Sequence, residues 1–266
     1  MAVRNKFYFF TSRDPQVIAH KDKIAALAIE HGFEVVEDPA QADIIASIGG
    51  DGAFLQAVRK TNFRQDAIYV GIATSDQKYL YCDFHIEDTT NLRLAVKNET
   101  TEVRRYPVLE VNLNNEMTYY CLNDFFIKSS IIKSMTMDVS IDDTHLETFR
   151  GDGLLISTPT GSTGYNKSLG GAIVDPMMRS MQMTEIASLN NNNFRTVGGP
   201  IVMGDNRVLT LSLDQSGNFY PIMGLDNEAL SVQYTDFVTI KISDKMIKTL
   251  KVKENSFWHK VRRNFL

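Results

Sequence analysis

Ile44-Ile45-Ala46-Ser47-Ile48-Gly49-Gly50-Asp51-Gly52-Ala53-Phe54-Leu55-Gln56-Ala57-Val58 passes from an apolar run through a glycine-hinged acidic turn into a segment where Phe54, Leu55 and Val58 share one helical face. That is a strand, a tight turn and a helix start. Glycine carries no Cβ, so the turn can take positive φ and bring its amides close to a phosphate, and the helix N-terminus adds partial positive charge. A carboxylate in the middle of such a turn repels phosphate but suits a hydroxyl or a metal ion. Asp51 is therefore the candidate base. Taken alone, it is equally an ordinary cap on the helix that follows.

The flanking sequence repeats the same grammar. Phe7 to Phe10 precede a helix with Val17, Ile24, Leu27 and Ala28 on one face that stops at Gly32; Phe33 to Val36 and Ala67 to Ile72 follow as apolar runs. This predicts an α/β domain with an open parallel sheet, and it places Asp51 at the carboxyl end of a parallel strand, where ligands bind in such sheets. From about Arg104 the pattern changes to short alternating segments broken by turns, as in Val108 to Leu113, Thr118 to Leu122, Val139 to Ile141, Val208 to Leu213 and Phe237 to Ile242. A β-rich domain of stacked antiparallel sheets is expected, interrupted by a helical stretch around Met177 to Ser188. The polar residues near 95–103 read as the domain boundary or equally as the end of a polar surface helix; taken as the boundary they give domains 1–100 and 101–249.

At 266 residues two cores can be buried. A formal charge of −4 argues against nucleic acid or an anionic membrane as the main partner. Cys82 and Cys121 lack metal-ligand spacing, the five histidines form no cluster, and no apolar stretch reaches the roughly 20 residues that span a bilayer. The N-terminus shows no signal core, so a cytoplasmic protein with free thiols and no structural metal site is expected.

A second acidic turn, Gly151-Asp152-Gly153, runs on through Leu154-Leu155-Ile156 into Ser157-Thr158-Pro159-Thr160-Gly161-Ser162-Thr163-Gly164-Tyr165-Asn166-Lys167-Ser168. Its hydroxyls and amides suit sugar and phosphate oxygens, and Tyr165 offers a flat face to a base, a contact that contributes about 1 to 3 kcal/mol. A packed core aromatic is the other reading of Tyr165. Arg150 and Asp152 read either as ligand contacts or as a surface ion pair. Asn123 and Asp124 interrupt an apolar run and read either as ligands or as a bulge.

Four blocks in this order carry a resemblance: Ile48 to Gly52, Leu122-Asn123-Asp124, Phe149 to Gly153 with the run to Ser168, and Arg195-Thr196-Val197-Gly198-Gly199-Pro200. Over nearly the whole chain the sequence resembles the bacterial NAD kinases. That resemblance implies phosphorylation of the 2′-hydroxyl of the adenosine ribose of NAD by ATP to give NADP, with Asp51 as proton acceptor and a divalent ion, Mg²⁺, carried with ATP. It implies ligand contacts from Gly52, Tyr79, Asn123, Asp124, Arg150, Asp152, Thr163, Gly164, Tyr165, Asn166, Lys167, Ser168, Ala187, Asp226 and Asn227, with Asn123 and Asp124 on the adenosine part. It also implies a homodimer or homotetramer, and a C-terminal tail, residues 250–266, that returns to the first domain. Polyphosphate remains an alternative donor. The alternative functions are a silent NAD/NADP-binding regulator and a lipid or sugar kinase that shares Gly-Gly-Asp-Gly.

The chain departs from the family pattern in places. Ala53 stands where the family has Thr, Asp124 where it usually has Glu, and Asp175 where it has His. The family's Gly-x-x-Thr-Gly-x-Leu-Gly-Phe block appears as Gly71-Ile72-Ala73-Thr74-Ser75-Asp76-Gln77-Lys78-Tyr79. Tyr79 can replace the Phe as an aromatic wall, but Ser75 and Lys78 cannot take a positive φ as easily as glycine, which leaves the loop's conformation open. In the tail, Phe257, Trp258, Val261 and Phe265 are expected on one helical face with Lys260, Arg262 and Arg263 elsewhere on the surface. Such a helix docks on its own protein or on a membrane.

Overall fold

The structure is a computed structural model that describes residues 5–12, 14–88, 90, 92, 100–214, 221–230 and 234–266. The chain forms two compact units, one of Met1–Tyr106 with Ile247–Leu266 and one of Pro107–Met246. The divisions fall a few residues from the expected 100/101 and 249/250, inside two long strands. Residues 93–99, most of the stretch read as a boundary, lie outside the described residues.

The first unit is an α/β layer. Strands β1 (Lys6–Thr11), β2 (Glu34–Val35), β3 (Ile44–Ile48), β4 (Ile68–Ala73) and β5 (Cys82–His85) are all parallel, in the order β2-β1-β3-β4, with β5 beside β4. Helix α1 (Pro15–Glu30) starts on Asp14, whose side chain accepts the Gln16 amide, and turns Ile24 and Ala28 inward. Helix α2 (Asp51–Lys60) follows β3 directly and buries Phe54, Leu55, Ala57 and Val58. The 3.6-residue period of those apolar positions is what makes the segment a helix with one face in the core. Phe54 stacks on Tyr81 with ring centroids 4.7 Å apart, and the buried Tyr69 hydroxyl lies 2.6 Å from Thr61 Oγ1.

The second unit is β-rich. It holds most of β6 (Thr101–Leu113), then β7 (Met117–Cys121), β8 (Asp124–Lys128), β9 (Met135–Ile141), β10 (Thr144–Gly151), β11 (Gly153–Ser157), β12 (Ser180–Ile186), β13 (Ile201–Gly204), β14 (Val208–Leu213), β15 (Ile222–Leu225), β16 (Glu228–Leu230) and the first part of β17 (Phe237–Val252). One antiparallel sheet runs β10-β9-β14-β17; the other runs β13-β12-β11-β8-β15-β16. Alternate residues of each, such as Met137, Val139, Leu209 and Leu211 from one and Phe125, Ile127, Leu154, Ile156, Met181 and Met183 from the other, form one buried core. Met181 and Met183 are where the sequence reading fails: Met177 to Ser188 is not helical but contains β12, with Gln182 and Thr184 alternating against the two methionines.

The tail forms helix α3 (Phe257–Phe265), capped by Ser256, whose side chain accepts the His259 amide at 3.1 Å. The expected face is also wrong. Lys260 and Val261 are the buried residues, while Trp258 and Phe265 are exposed. Phe257, Lys260, Val261 and Asn264 fall at i, i+3, i+4 and i+7, and that stripe, rather than the one through Trp258, turns inward. The helix docks on its own unit through Lys260, which bonds the Leu80 carbonyl at 2.5 Å and the Asp83 carboxylate. No helix among the described residues is long and apolar enough to cross a membrane.

Candidate functional site

In the first unit the Gly49 turn leaves the carboxyl end of β3. Gly49 has φ 145°, and a Cβ there would lie 2.8 Å from that of Ala53, so the position requires glycine. Asp51 does not cap α2: Gly50 is the cap residue, and no side chain bonds the helix start. Its carboxylate points to the loop after β4, where Oδ2 accepts the Leu80 amide and Oδ1 the Tyr81 amide, each at 2.8 Å. A carboxylate has about four acceptor sites, of which these two amides take two.

The Tyr79 ring lies against Gly50, where a Cβ would approach a ring carbon to 2.5 Å. Its hydroxyl bonds Ser75 Oγ at 2.9 Å and Gln77 Oε1 at 3.0 Å. Neither Ser75 nor Lys78 takes a positive φ. The loop follows a path that L-residues accept, so the missing family glycines cost it no backbone strain.

Below this loop lies a group of charges that the sequence reading missed. Lys251 Nζ bonds the Tyr81 carbonyl at 2.5 Å and the Leu80 carbonyl at 3.2 Å, and lies 3.6 Å from Asp83. Burial opposes ionisation of Asp83, but the charges of Lys251 and Lys260 outweigh it and hold the carboxyl below the usual carboxylate value. Burial and the neighbouring Lys251 push Lys260 down to about 7. Burial, with the charge of Asp51, pushes the Cys82 thiol up to about 12. The available sequence signal was a charge inside each core segment: Asp83 between Cys82 and Phe84, and Lys251 between Leu250 and Val252.

In the second unit the candidate residues gather at two ends of the six-stranded sheet. At the end where β8 begins and β11 and β15 finish, Asp226 takes a positive φ of 53° in the β15–β16 turn beside exposed Asn227. Its carboxylate accepts the amides of Leu122 at 3.1 Å, Asn123 at 2.6 Å and Asp124 at 3.4 Å. From the other side the hydroxyls of Thr158 and Thr160 donate to the Leu122 carbonyl at 2.6 and 3.0 Å, and the Thr158 amide to the Asn123 carbonyl at 2.8 Å. A Cβ on Gly161 would sit 2.0 Å from that carbonyl. The Asn123-Asp124 pair is thus the clamped start of β8 rather than a bulge. Burial, with the charge of Asp226, pushes Asp124 up to about 8, so it carries its proton at neutral pH.

The hydroxyl-rich run continues from this clamp. Thr163 is buried, with its hydroxyl on the Thr160 carbonyl at 3.3 Å, while Gly164, Lys167 and Ser168 are exposed. Tyr165 is half-buried and meets Phe126 edge-on at 6.1 Å, with Lys128 Nζ 6.0 Å from its ring. Asn166 is fully buried: Nδ2 bonds the carbonyls of Ser162 and Ala172 at 3.2 Å, and Oδ1 accepts Thr184 Oγ1 at 2.7 Å. Its side chain faces protein, not solvent.

At the opposite end of β8 and β11, about 14 Å along the strands at ~3.4 Å per residue, lie Arg150, Asp152 and Ala187. Arg150 does not pair with Asp152. Its Nε donates to Ser134 Oγ at 3.0 Å and its guanidinium covers the Phe194 ring at 4.9 Å. The Asp152 amide bonds the Ile186 carbonyl at 2.9 Å and its side chain is exposed, next to exposed Ala187 at φ 47°. The Arg195 to Pro200 block is held by two acids: the Val197 amide donates to Glu147 at 2.7 Å and the Gly198 amide to Glu185 at 3.0 Å. No group of three or more His, Cys, Asp or Glu side chains is placed to hold a metal ion among the described residues.

Comparison with known proteins fits this geometry. Residues 115–252 match the ATP-NAD kinase C-terminal domain. NAD kinase 2 of Bacillus subtilis is 54% identical over 263 residues, which cover 99% of this chain and 98% of that one. NAD kinase 2 of Bacillus licheniformis is 54% identical over the full length of both chains. Among solved structures, yeast NADH kinase in complex with NADH superposes with a TM-score of 0.80 at 18% identity, over 97% of this chain and 86% of that one. An NAD kinase from Archaeoglobus fulgidus in complex with ATP gives 0.76 at 23% identity, over 97% and 98%. At those identities the two structures speak for the fold.

Proposed function

The chain belongs to the NAD kinase family, and from that premise we propose that it moves the γ-phosphoryl group of ATP onto the 2′-hydroxyl of the adenosine ribose of NAD, giving NADP, with Asp51 taking the hydroxyl proton. The observation that carries the role of Asp51 is its fixed carboxylate: two backbone amides set its direction and take two of its about four acceptor sites. The new bond joins the ribose 2′-oxygen to the γ-phosphorus, the bond from that phosphorus to the bridging oxygen breaks, and ADP leaves. Phosphoryl transfer of this kind depends on positioning and charge stabilisation more than on covalent chemistry by the protein.

Asp124 is assigned to the adenine. A protonated buried carboxyl offers one O–H donor and one carbonyl acceptor side by side, which matches the paired ring nitrogen and amino group of adenine. Tyr165 offers the stacking face. Asn123, Thr163, Gly164, Lys167, Ser168, Asp226 and Asn227 complete this end, while Asn166 holds the turn from inside. Arg150, Asp152 and Ala187 are assigned to the dinucleotide at the other end. Gly52 and Tyr79 line the turn at Asp51.

Mg²⁺ belongs with the triphosphate, since a small hard cation keeps waters and takes phosphate oxygens, and the described residues offer no protein cage for it. When bound, it neutralises charge on the transferring group. A cytoplasmic homodimer or homotetramer completes the proposal, and light scattering would read the oligomer.

The deciding experiment measures NADP formation from NAD with ATP and Mg²⁺, using an NADP-specific dehydrogenase, for the unaltered chain and Asp51→Asn. Loss of turnover in a folded Asp51→Asn supports the assignment. Retained turnover removes Asp51 as proton acceptor and leaves the kinase.

A further inference from the structure

One peptide group, between Leu80 and Tyr81, is gripped at both ends by charge. Its N–H, on Tyr81, donates to Asp51 Oδ1 at 2.8 Å; its carbonyl, on Leu80, accepts Lys260 Nζ at 2.5 Å and Lys251 Nζ at 3.2 Å. The side chains of Lys251, Lys260 and Asp83 are 1%, 3% and 0% exposed. A buried ionic group of this sort seldom repays its desolvation, and apolar residues of similar volume often hold a fold as well or better. Its place against the back of the Asp51 loop gives it a different use.

We propose that Lys260, on the C-terminal helix, is a positioning residue for phosphoryl transfer: together with Lys251 it polarises the Leu80–Tyr81 peptide group and so governs how Asp51 is oriented and how readily it takes the proton. The inference rests on Asp51 as the proton acceptor. A carbonyl bound by a cation makes the N–H of the same peptide a stronger donor, because hydrogen bonds in a low-dielectric interior polarise one another. The carboxylate at the far end is therefore held more firmly while the cation is present.

The surroundings define the charge that Lys260 meets. Asp83 faces it from β5, Lys251 from β17 and Asp51 from α2. Tyr106 and Cys82 bear on Lys251, and Asp83 also accepts the Val252 amide at 2.9 Å and lies near Arg104. With Lys260 poised about 7, the Leu80 carbonyl loses one cationic donor as the pH rises through neutrality. Lys251, which burial would lower, is raised by Asp83 and its other neighbours and keeps its proton there.

The test uses the full chain and follows initial rates of NADP formation from about pH 5.5 to about pH 9, with thermal melting alongside, for Lys260→Met, Lys260→Arg and Asp51→Asn. Lys260→Met is expected to lower kcat about tenfold, to leave KM for NAD nearly unchanged, and to move the acidic limb of the profile to higher pH. Lys260→Arg, charged at every pH, is expected to restore most of kcat and to abolish the change in rate across neutrality. A Lys260→Met profile that superimposes on that of the unaltered protein would overturn the inference, whatever its melting temperature. Should Lys260→Met fail to fold, a neutral-pH inflection that persists in folded Lys260→Arg would overturn it equally. Turnover retained by Asp51→Asn would remove the proton-acceptor reading itself, and this inference with it. An inactive Asp51→Asn beside an unmoved Lys260→Met profile would sink this inference alone.

Discussion

The carboxylate of Asp226 accepts the backbone amide of Asn123 at 2.6 Å, so a turn between two late strands fixes the start of β8 more than a hundred residues earlier. It also places a negative charge beside the buried carboxyl of Asp124. One side chain thus shapes the end of the site proposed for the adenine twice, by geometry and by charge.

Asp226→Asn keeps the size of the side chain and removes its charge. The three amides lose a charged acceptor, which contributes about 1 to 3 kcal/mol. KM for NAD should rise about tenfold or more while kcat falls little. A variant that loses kcat at constant KM would contradict the placement of this turn at the binding end.

Asp124 gives a pH signature of stability. Burial, with Asp226, raises its pKa to about 8, whereas the unfolded chain releases that proton near the ordinary carboxyl value of 3.8. Between those values the folded state binds more protons, so this group's contribution to stability falls as pH rises and levels off above about 8. Asn at 124 has no such dependence. Urea unfolding at pH ~5, ~6.5 and ~8 should therefore show Asp124→Asn gaining on the unaltered protein by about 3 to 4 kcal/mol across the series. Parallel curves would mean that Asp124 is ionised in the folded state.

Gly161→Ala sets a methyl group where the Asn123 carbonyl stands, 2.0 Å away. Backbone must move, at a cost of about 2 to 4 kcal/mol. Calorimetry should report a lower melting temperature together with weaker NAD binding; an unchanged Kd would show that the clamp is not part of the site.

Asp51→Ala should free the loop as well as stop the chemistry. The Leu80 and Tyr81 amides lose their acceptors, so their hydrogen exchange should accelerate by about tenfold or more relative to the β3 amides. Uniform exchange across the loop in both proteins would show that the carboxylate does not anchor it.

Cys82 and Cys121 are buried, and burial raises both thiols, Cys82 to about 12. Thiolate is the reactive form. A chromogenic disulfide reagent at pH ~8 should find no fast thiol in the folded protein and both after denaturation.

Much of this was legible in the sequence, because local pattern dictated it. The apolar run 44–48, the glycine turn and the helical period of Phe54, Leu55 and Val58 fix β3, Asp51 and α2 with no reference to anything distant. Misreadings came where two local signals competed. Met177 to Ser188 contains good helix formers, yet the alternation of Met181 and Met183 with Gln182 and Thr184 is a strand's, and packing on the core decided for the strand. In the tail, the hydrophobic character of Trp258 and Phe265 outweighed in reading the angular position of Lys260, which was the residue that turned inward. Nothing local announces that Asp83, Lys251 and Lys260 meet. Their pairing exists only after β5, β17 and α3 have assembled.

That assembly has an order imposed by synthesis. The unit that carries Asp51 is made of Met1–Tyr106 and Ile247–Leu266, two stretches that the whole of Pro107–Met246 separates in the chain. A nascent chain that has already made the Gly49 turn still lacks both lysines behind the Leu80 carbonyl. The carboxylate proposed as proton acceptor gains the cation behind the Leu80 carbonyl only when residue 260 has left the ribosome, so a chain cut before residue 260 would keep every other residue assigned to the nucleotides and still lack the support that the inference gives Asp51.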